Sequence, residues 1–281
     1  TTTALATTAP MVIAPAMESA MWLNPVTQQH ARTLRERGAV IVGPAEGRLA
    51  SGASGPGRMA EPIEIFDAVR LVLARSGDLR GRTIVVSAGG TQEPIDPVRF
   101  IGNRSSGKMG YAIAEAARDR GAEVILISGP TSLAAPAGVT VINVNTADEM
   151  ARAVLLNIDG ADALIMAAAV ADFRPIQAEK QKIKKEAQEG LTLSLVRNPD
   201  ILARVAERRE NRPLPLVIGF AAETQDLLAN AQEKLRRKRM DMIVANDVTA
   251  SDSGFGTDTN QVTLIRADGY VEALPLMSKF E

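Results

Sequence analysis

The chain has 281 residues, enough to bury one large core or two smaller ones. Its formal net charge is −1, with 46% hydrophobic and 23% charged residues, so no excess of either sign argues for a nucleic acid or an anionic membrane as partner. It has no cysteine and a single histidine, His30, which excludes disulfides, thiolate metal sites, a cysteine nucleophile and a His-rich metal cluster, and leaves a Ser-His-Asp triad without support.

Absence of cysteine fits a reducing compartment, and the expected location is the cytoplasm. No apolar run reaches the roughly 18–20 residues of a membrane span, and no signal peptide is legible. Both ends read as cut: TTTALATTAP begins without methionine, and ALPLMSKFE stops with no closing helix.

In chain order, residues 1–75 hold a short apolar strand, MVIAPAM, and an amphipathic helix around PVTQQHARTLRERGA. A second strand, VIVGP, a glycine-rich stretch, GRLASGASGPGRM, and a helix, EPIEIFDAVRLVLAR, follow. This is too little for a self-sufficient α/β layer, because a parallel sheet needs helices on both faces. The segment therefore reads as the back part of an incomplete domain, followed by the polar linker SGDLRGR.

From Arg82 strands and helices alternate without a break. TIVVSAGG is a buried strand ending in glycines, and MGYAIAEAARDRGA a helix closed by Gly121. EVILISG and VTVINV are strands, ADEMARAVLLNI a helix, and ADALIMAAAV another buried strand. A lysine-rich loop leads to the short strand LTLSLV and a helix starting near Pro199. PLVIGFAAET, QDLLANAQEKLRRKR and DMIVAND are strand, helix and strand, and NQVTLIRADGYVEALPL is a hairpin turning at Asp268-Gly269. The expected fold class is α/β: a Rossmann-like, doubly wound, mostly parallel sheet with a C-terminal β-hairpin.

Ligands of such a sheet bind beyond the carboxyl ends of its strands. Those ends are SAGGT (87–91), AAAVAD (167–172), GFAAET (219–224) and ANDV (245–248). Their small residues let a ligand approach the backbone, although they also serve tight helix packing. After the first of them comes FIGNRSSGKMG (100–110), which nearly spells the phosphate loop G-x-x-x-x-G-K-[ST]. Met109 stands where a magnesium-holding hydroxyl belongs, and TQEPIDPVRFIGN separates the loop from its strand, so that reading fails. What remains is a helix N-terminus at Ser105, Ser106, Gly107 and Lys108. Its free N–H groups and dipole favour a phosphate, and its serines are candidate N-caps.

The run EKQKIKKE (179–186) follows AAAVADF directly. Lys182, Lys184 and Lys185 can therefore swing over the mouth of the sheet, as cations for a polyphosphate and for a phosphoryl-transfer transition state, beyond the solvated role lysine runs usually have. Asp172, at a strand end, is a candidate for a ribose hydroxyl or magnesium, and Lys234 and Lys238 sit one helical turn apart.

The motifs GGTQEPIDPVRFIGNRSSGKMGYAIA, AAAVADF, KIKK, RNPDIL, GFAAET and ANDV, in this order, resemble phosphopantothenate–cysteine ligase. That enzyme is the C-terminal half of the bacterial bifunctional phosphopantothenoylcysteine decarboxylase/synthetase family of coenzyme A biosynthesis. Residues 76–281 are therefore expected to be the ligase domain. Upstream, APAMESAMWLNPVTQ and GRLASGASGPGRM resemble the end of the FMN-dependent decarboxylase half, which makes residues 1–75 the C-terminal part of an incomplete flavodoxin-like domain.

The resemblance implies a CTP-dependent ligation. The carboxylate of 4′-phosphopantothenate attacks the α-phosphorus of CTP and releases pyrophosphate; the amine of L-cysteine then displaces CMP from the acyl-cytidylate. Lys182 matches the family lysine that stabilises charge at the α-phosphate, Asn103 the asparagine that turns over the acyl-cytidylate, and Arg99 an arginine nearby. The CTP contact positions fall on Met166, Ala167, Ala168, Asp172, Lys182, Arg197, Asn198, Pro199, Asp200, Phe220, Lys234 and Lys238. Ser105, Ser106, Gly107 and Lys108 would then face the phosphate of the pantothenate arm. Such chemistry needs positioning and cations but no covalent nucleophile. No protein metal centre is expected; Mg2+ would arrive with CTP and be held mainly by the nucleotide. The family also implies a homodimer of the ligase domain, to which the 261–276 hairpin could lend an edge, and a higher oligomer where the decarboxylase domain is intact. The expected partners are these small molecules, with neither nucleic acid nor membrane among them.

The upstream half departs from its family in two places. Glu18 replaces the asparagine of a PAMN motif that holds the substrate carboxylate, and would repel that anion; Ser51 replaces the redox-completing cysteine. His30 is not the family's catalytic histidine and reads as a helix-surface residue. FMN is expected only for that half, and no decarboxylation is expected from this chain. Two other readings compete. A nicotinamide-dependent Rossmann reductase needs G-x-G-x-x-G straight after the first strand and an acid after the second, and SAGGTQEP and Ser128-Gly129 supply neither. A non-catalytic flavoprotein regulatory subunit draws on Glu18 and Ser51, and Asn103, Asp172 and Lys182 stand against it.

Overall fold

The computed structural model describes residues 2–184, 190–210, 212–223, 227–247 and 256–281. The chain divides into two compact units, Thr1–Gly77 and Asp78–Glu281. In the first, Val12–Ile13 and Val40–Ile41 pair in parallel, and a helix over Pro25–Glu36 joins them. Asn24 caps that helix by accepting from the Val26 N–H, and proline at its start sacrifices no hydrogen bond. The glycine-rich stretch forms an antiparallel ribbon, Ala45–Arg48 against Ser54–Arg58. A Cβ on Gly57 would stand 2.2 Å from the Met17 carbonyl oxygen, so the ribbon lies directly against the backbone around Met17. A helix over Pro62–Ala74, opened by a Glu61–Glu64 capping box, completes the unit.

The second unit is built on one eight-stranded sheet. Its strands in chain order are β1 (Thr83–Ala88), β2 (Glu123–Ser128), β3 (Thr140–Asn143), β4 (Ala163–Met166), β5 (Leu216–Glu223), β6 (Met242–Asp247), β7 (Val262–Arg266) and β8 (Val271–Ala273). In space they run β3-β2-β1-β4-β5-β6-β7-β8. From β3 to β6 every neighbour is parallel, and β7 and β8 add an antiparallel edge. This is the doubly wound Rossmann order with a hairpin appended, and the direction of winding reverses between β1 and β4. The hairpin turns at Gly269, whose φ of 93° only glycine adopts freely.

Four helices cross between strands: α1 (Lys108–Asp119), α2 (Ala147–Asn157), α3 (Ile201–Arg209) and α4 (Leu227–Arg237). Alternation along the strands sends Val85, Leu164, Val217 and Ile243 to one face, where they are buried with Met150 and Val154 of α2, Val205 of α3 and Leu235 of α4. Val86, Ala88, Val124 and Leu126 are buried with Tyr111 and Ala114 of α1.

Among the short ribbons that escape the reading from sequence are Gln92–Pro94 against Phe100–Gly102 and Phe173–Pro175 against Leu195–Arg197. The strand expected over LTLSLV shrinks to the latter, because its residues are exposed and only the part facing Phe173–Pro175 finds a partner.

Helix α1 meets β1 at Gly110, where a Cβ would stand 2.5 Å from the Ala88 Cβ and 2.8 Å from the Ser87 carbonyl oxygen. Gly110→Ala should therefore lower stability by about 1–3 kcal/mol in denaturant unfolding. Gly190→Ala, whose Cβ meets nothing within 4 Å, should stay within about 0.5 kcal/mol of wild type. Equal losses at the two positions would contradict this packing.

Candidate functional site

The site is assembled where β1 and β4 part. Beyond their last rungs Gly90 bridges Ala169, and two buried hydroxyls continue the ladder. Ser87 Oγ accepts from the Ala168 N–H at 3.1 Å and Thr91 Oγ1 from the Ala171 N–H at 2.9 Å. The run after β4 is thereby pinned along the rim to the segment that follows β1. The segment after the 92–102 ribbon lies on the same rim: a Cβ on Gly90 would stand 2.8 Å from the Asn103 carbonyl oxygen.

A cavity of about 540 Å³ opens over β4 and β5, within the range of small-molecule sites. Met166, Ala168 and Asp172 line it from the β4 side, Phe220 from β5, Arg197, Asn198, Pro199 and Asp200 from the loop before α3, and Lys234 and Lys238 from the end of α4. Of the positions assigned to CTP from the sequence, Ala167 and Lys182 are outside this lining.

Each wall is held by polar contacts. Asn198 donates its side-chain amide to the Ala171 carbonyl at 2.8 Å and its backbone N–H to the Asp172 carbonyl at 2.8 Å, and accepts from Arg174 at 2.9 Å. Asp200 caps α3 through the Ala203 N–H at 3.1 Å, and its other oxygen pairs with Lys238. Burial holds the Lys238 ammonium below its ordinary pKa, while the charge of Asp172 pulls it back up. Lys234 Nζ donates to the Phe220 carbonyl at 3.0 Å. The cavity thus sets three cationic side chains, those of Arg197, Lys234 and Lys238, beside small residues, an arrangement suited to an anionic ligand.

The other residues singled out for chemistry lie along its rim. Asn103 donates its amide to the Val170 carbonyl at 3.0 Å. Arg99 is turned toward Asp96: Nε and one terminal nitrogen reach the same carboxylate oxygen at 2.9 and 2.5 Å, and that nitrogen also donates to the Ile183 carbonyl at 2.9 Å. Asp96, with no exposed side-chain surface, accepts in addition from the N–H groups of Val98 and Arg99 at 2.8 Å and of Ile183 at 3.2 Å. The Arg99 guanidinium holds its carboxyl far below the ordinary carboxylate range. Asp96 was missed in the sequence, where EPIDPVRF offers only an i,i+3 acid–base spacing as its signal. Lys182 and Lys184 are exposed on the loop beside it, and Lys185 lies outside the described residues.

At the start of α1 the expected serine N-cap is corrected. Gly107 takes that position with φ 76°, a left-handed conformation. Ser105 and Ser106 act from just before it, their hydroxyls accepting from the Gly107 and Lys108 N–H groups at 3.3 and 3.5 Å. Lys108 turns to Asp258 at 2.7 Å and to the Gly256 carbonyl at 2.9 Å. Among the described residues, no group of three or more His, Cys, Asp or Glu side chains is placed to hold a metal, and no helix is long and apolar enough to cross a membrane.

In the first unit the two positions that depart from the decarboxylase pattern meet: Ser51 Oγ donates to Glu18 Oε2 at 2.8 Å. A carboxylate and a hydroxyl stand there in place of an amide and a thiol.

Comparison with known proteins agrees with this division. Residues 79–281 match the family described as DNA/pantothenate metabolism flavoprotein C-terminal domain, and residues 1–73 match the flavoprotein family. The chain is 48% identical over 291 aligned positions to the coenzyme A biosynthesis bifunctional protein CoaBC of Mycobacterium bovis, covering 99% of this chain and 69% of that protein. It is 47% identical over 280 positions to the CoaBC of Vibrio cholerae, with the same coverages. A crystal structure of the C-terminal domain of a CoaBC protein superposes with a TM-score of 0.61 at 44% identity, covering 72% of this chain and 90% of that one. By family match and by identity along nearly its whole length, the chain belongs to the CoaBC family of bifunctional coenzyme A biosynthesis proteins.

Proposed function

We propose that the second unit ligates 4′-phosphopantothenate to L-cysteine with CTP as the activating nucleotide, giving 4′-phosphopantothenoylcysteine, CMP and pyrophosphate. The observation that carries this reading is the cationic cavity over the ends of β4 and β5, in a chain 48% identical to a coenzyme A biosynthesis protein. Residues 76–281 are read as the ligase domain, acting as a homodimer in the cytoplasm.

In the first step a substrate carboxylate oxygen forms a bond to the α-phosphorus as pyrophosphate leaves. In the second, the cysteine nitrogen bonds to the acyl carbon, CMP departs with the carboxylate oxygen, and the amine loses its proton to solvent. Met166, Ala168 and the 197–200 segment would seat the nucleoside, and Lys234 and Lys238 its phosphates. Lys182, on the exposed loop, would meet charge developing at the α-phosphorus. Asn103, hydrogen-bonded to the rim, would orient the acyl-cytidylate for the amine. The donor set suits magnesium carried by the nucleotide: Asp172 and Asp200 are the carboxylates lining the cavity, and Asp200 is already engaged. When bound, Mg2+ supplies charge neutralisation of the triphosphate. The Ser105–Lys108 segment is read as the seat of the substrate phosphate, which would take over Lys108 from Asp258.

Residues 1–75 are read as the C-terminal part of an FMN-dependent decarboxylase domain. Glu18 and Ser51, bonded to each other, do not fit that chemistry, and no decarboxylation step is derived from them.

Pyrophosphate release should require CTP and 4′-phosphopantothenate together, and a panel of nucleotides should rank CTP first. Lys182→Gln should slow that release by about 100-fold or more. Asn103→Asp should instead release about one equivalent per site and accumulate the acyl-cytidylate. Release without phosphopantothenate, or none from wild type, would end the ligase reading. Ser106→Ala combined with Lys108→Ala should raise the phosphopantothenate KM about tenfold and leave the CTP KM unchanged; an unaltered phosphopantothenate KM would move the substrate phosphate elsewhere.

A further inference from the structure

Lys182 stands on a loop whose placement depends on few contacts. Between Ile176 and Lys184 the described backbone is tied by the Ile176 N–H to the Ser194 carbonyl at 3.0 Å and by the Glu179 N–H to the Ile95 carbonyl at 2.8 Å. The remaining tie is at Ile183, next to Lys182, where donor and acceptor are both held by the Asp96–Arg99 pair.

Asp96 lies in the turn between the two strands of the 92–102 ribbon. Its Oδ1 accepts the Val98 and Arg99 N–H groups and shapes the turn. Its Oδ2 accepts the Arg99 guanidinium and the Ile183 N–H. The second strand of the ribbon ends at Gly102, immediately before Asn103, which is bonded to the rim through Val170. One buried carboxylate therefore joins the strand that delivers Asn103 to the loop that delivers Lys182.

We propose that Asp96 is a positioning residue for nucleotide activation: through Arg99 and Ile183 it holds the Lys182 loop in register with Asn103. The proposal rests on the ligase reading and deepens it. It also assigns the Arg99 guanidinium to the same clamp. Both Asp96 oxygens accept from donors, so an amide there would turn its N–H2 toward a donor in either orientation; Asp96→Asn keeps the volume of the side chain and breaks the clamp.

The test is the rate of pyrophosphate release by the whole chain with CTP and 4′-phosphopantothenate. Asp96→Asn should lower the maximal rate by about tenfold to 100-fold, the scale of a small displacement of a reacting group, while the CTP KM changes by less than about threefold. In a Lys182→Gln background the same change should cost nothing further, because the lysine it positions is gone. Ile183→Pro, which leaves both charged side chains in place and removes the loop's donor, should likewise slow release only when Lys182 is present. If Asp96→Asn fails to fold, Ile183→Pro decides alone. Wild-type rates in both variants would overturn the proposal, as would an undiminished loss in the Lys182→Gln background, which would mark a general effect on the fold. An inactive wild type would overturn the ligase reading instead.

Discussion

Everything at the site depends on how the ends of β1 and β4 are kept apart yet joined. Parallel neighbours whose chains then wind in opposite directions leave a crevice, and a crevice in a sheet exposes backbone groups that must find partners. Here the Ser87 and Thr91 hydroxyls and the Gly90–Ala169 bridge satisfy them. The rim is consequently tied to the end of β1 at several points, and Asn198 and Asn103 bond to its carbonyls. Had these hydroxyls been apolar, the N–H groups of Ala168 and Ala171 would lose their partners at the point where a ligand must seat.

The charge distribution matches a reaction that needs stabilisation of phosphate charge and no covalent enzyme intermediate. Lys234 and Lys238 line the cavity from the end of α4, and two carboxylates nearby are committed: Asp200 to capping α3 and pairing with Lys238, and Asp96 to Arg99. Committed carboxylates fix cations, and Asp172 is left as the exposed acid of the cavity lining. In the first unit Glu18 and Ser51 satisfy each other, and the chemistry of that half has no corresponding support.

The large elements were legible because their physics is local. Apolar runs such as TIVVSAGG and ADALIMAAAV, and the periodic apolar faces of α1 and α2, announce buried strands and packed helices. The ribbons at 92–102, 173–197 and 45–58 were not, since each is short, largely exposed and determined by what its backbone lies against. Likewise Gly107 displaced the serines as cap because the cap's left-handed φ, invisible in composition, demands glycine. The residues lining the cavity were named through resemblance to a family; spacing alone marked only Asp172, Lys234 and Lys238. Asp96 went unseen because its importance lies in Ile183, 87 positions along the chain, a contact that no local pattern encodes.

The glycines beside the crevice divide the site into unequal halves. A Cβ on Gly89 would stand 2.8 Å from the Gly129 carbonyl oxygen, one on Gly129 would stand 2.6 Å from that of Gly90, and one on Gly107 would lie 3.5 Å from Gly89 Cα. At Gly89 and Gly129 main chain rests on main chain, so a side chain at either position would have to displace backbone. Adjustment to a ligand of another shape therefore falls to the other bank, where Arg197, Lys234 and Lys238 line the cavity.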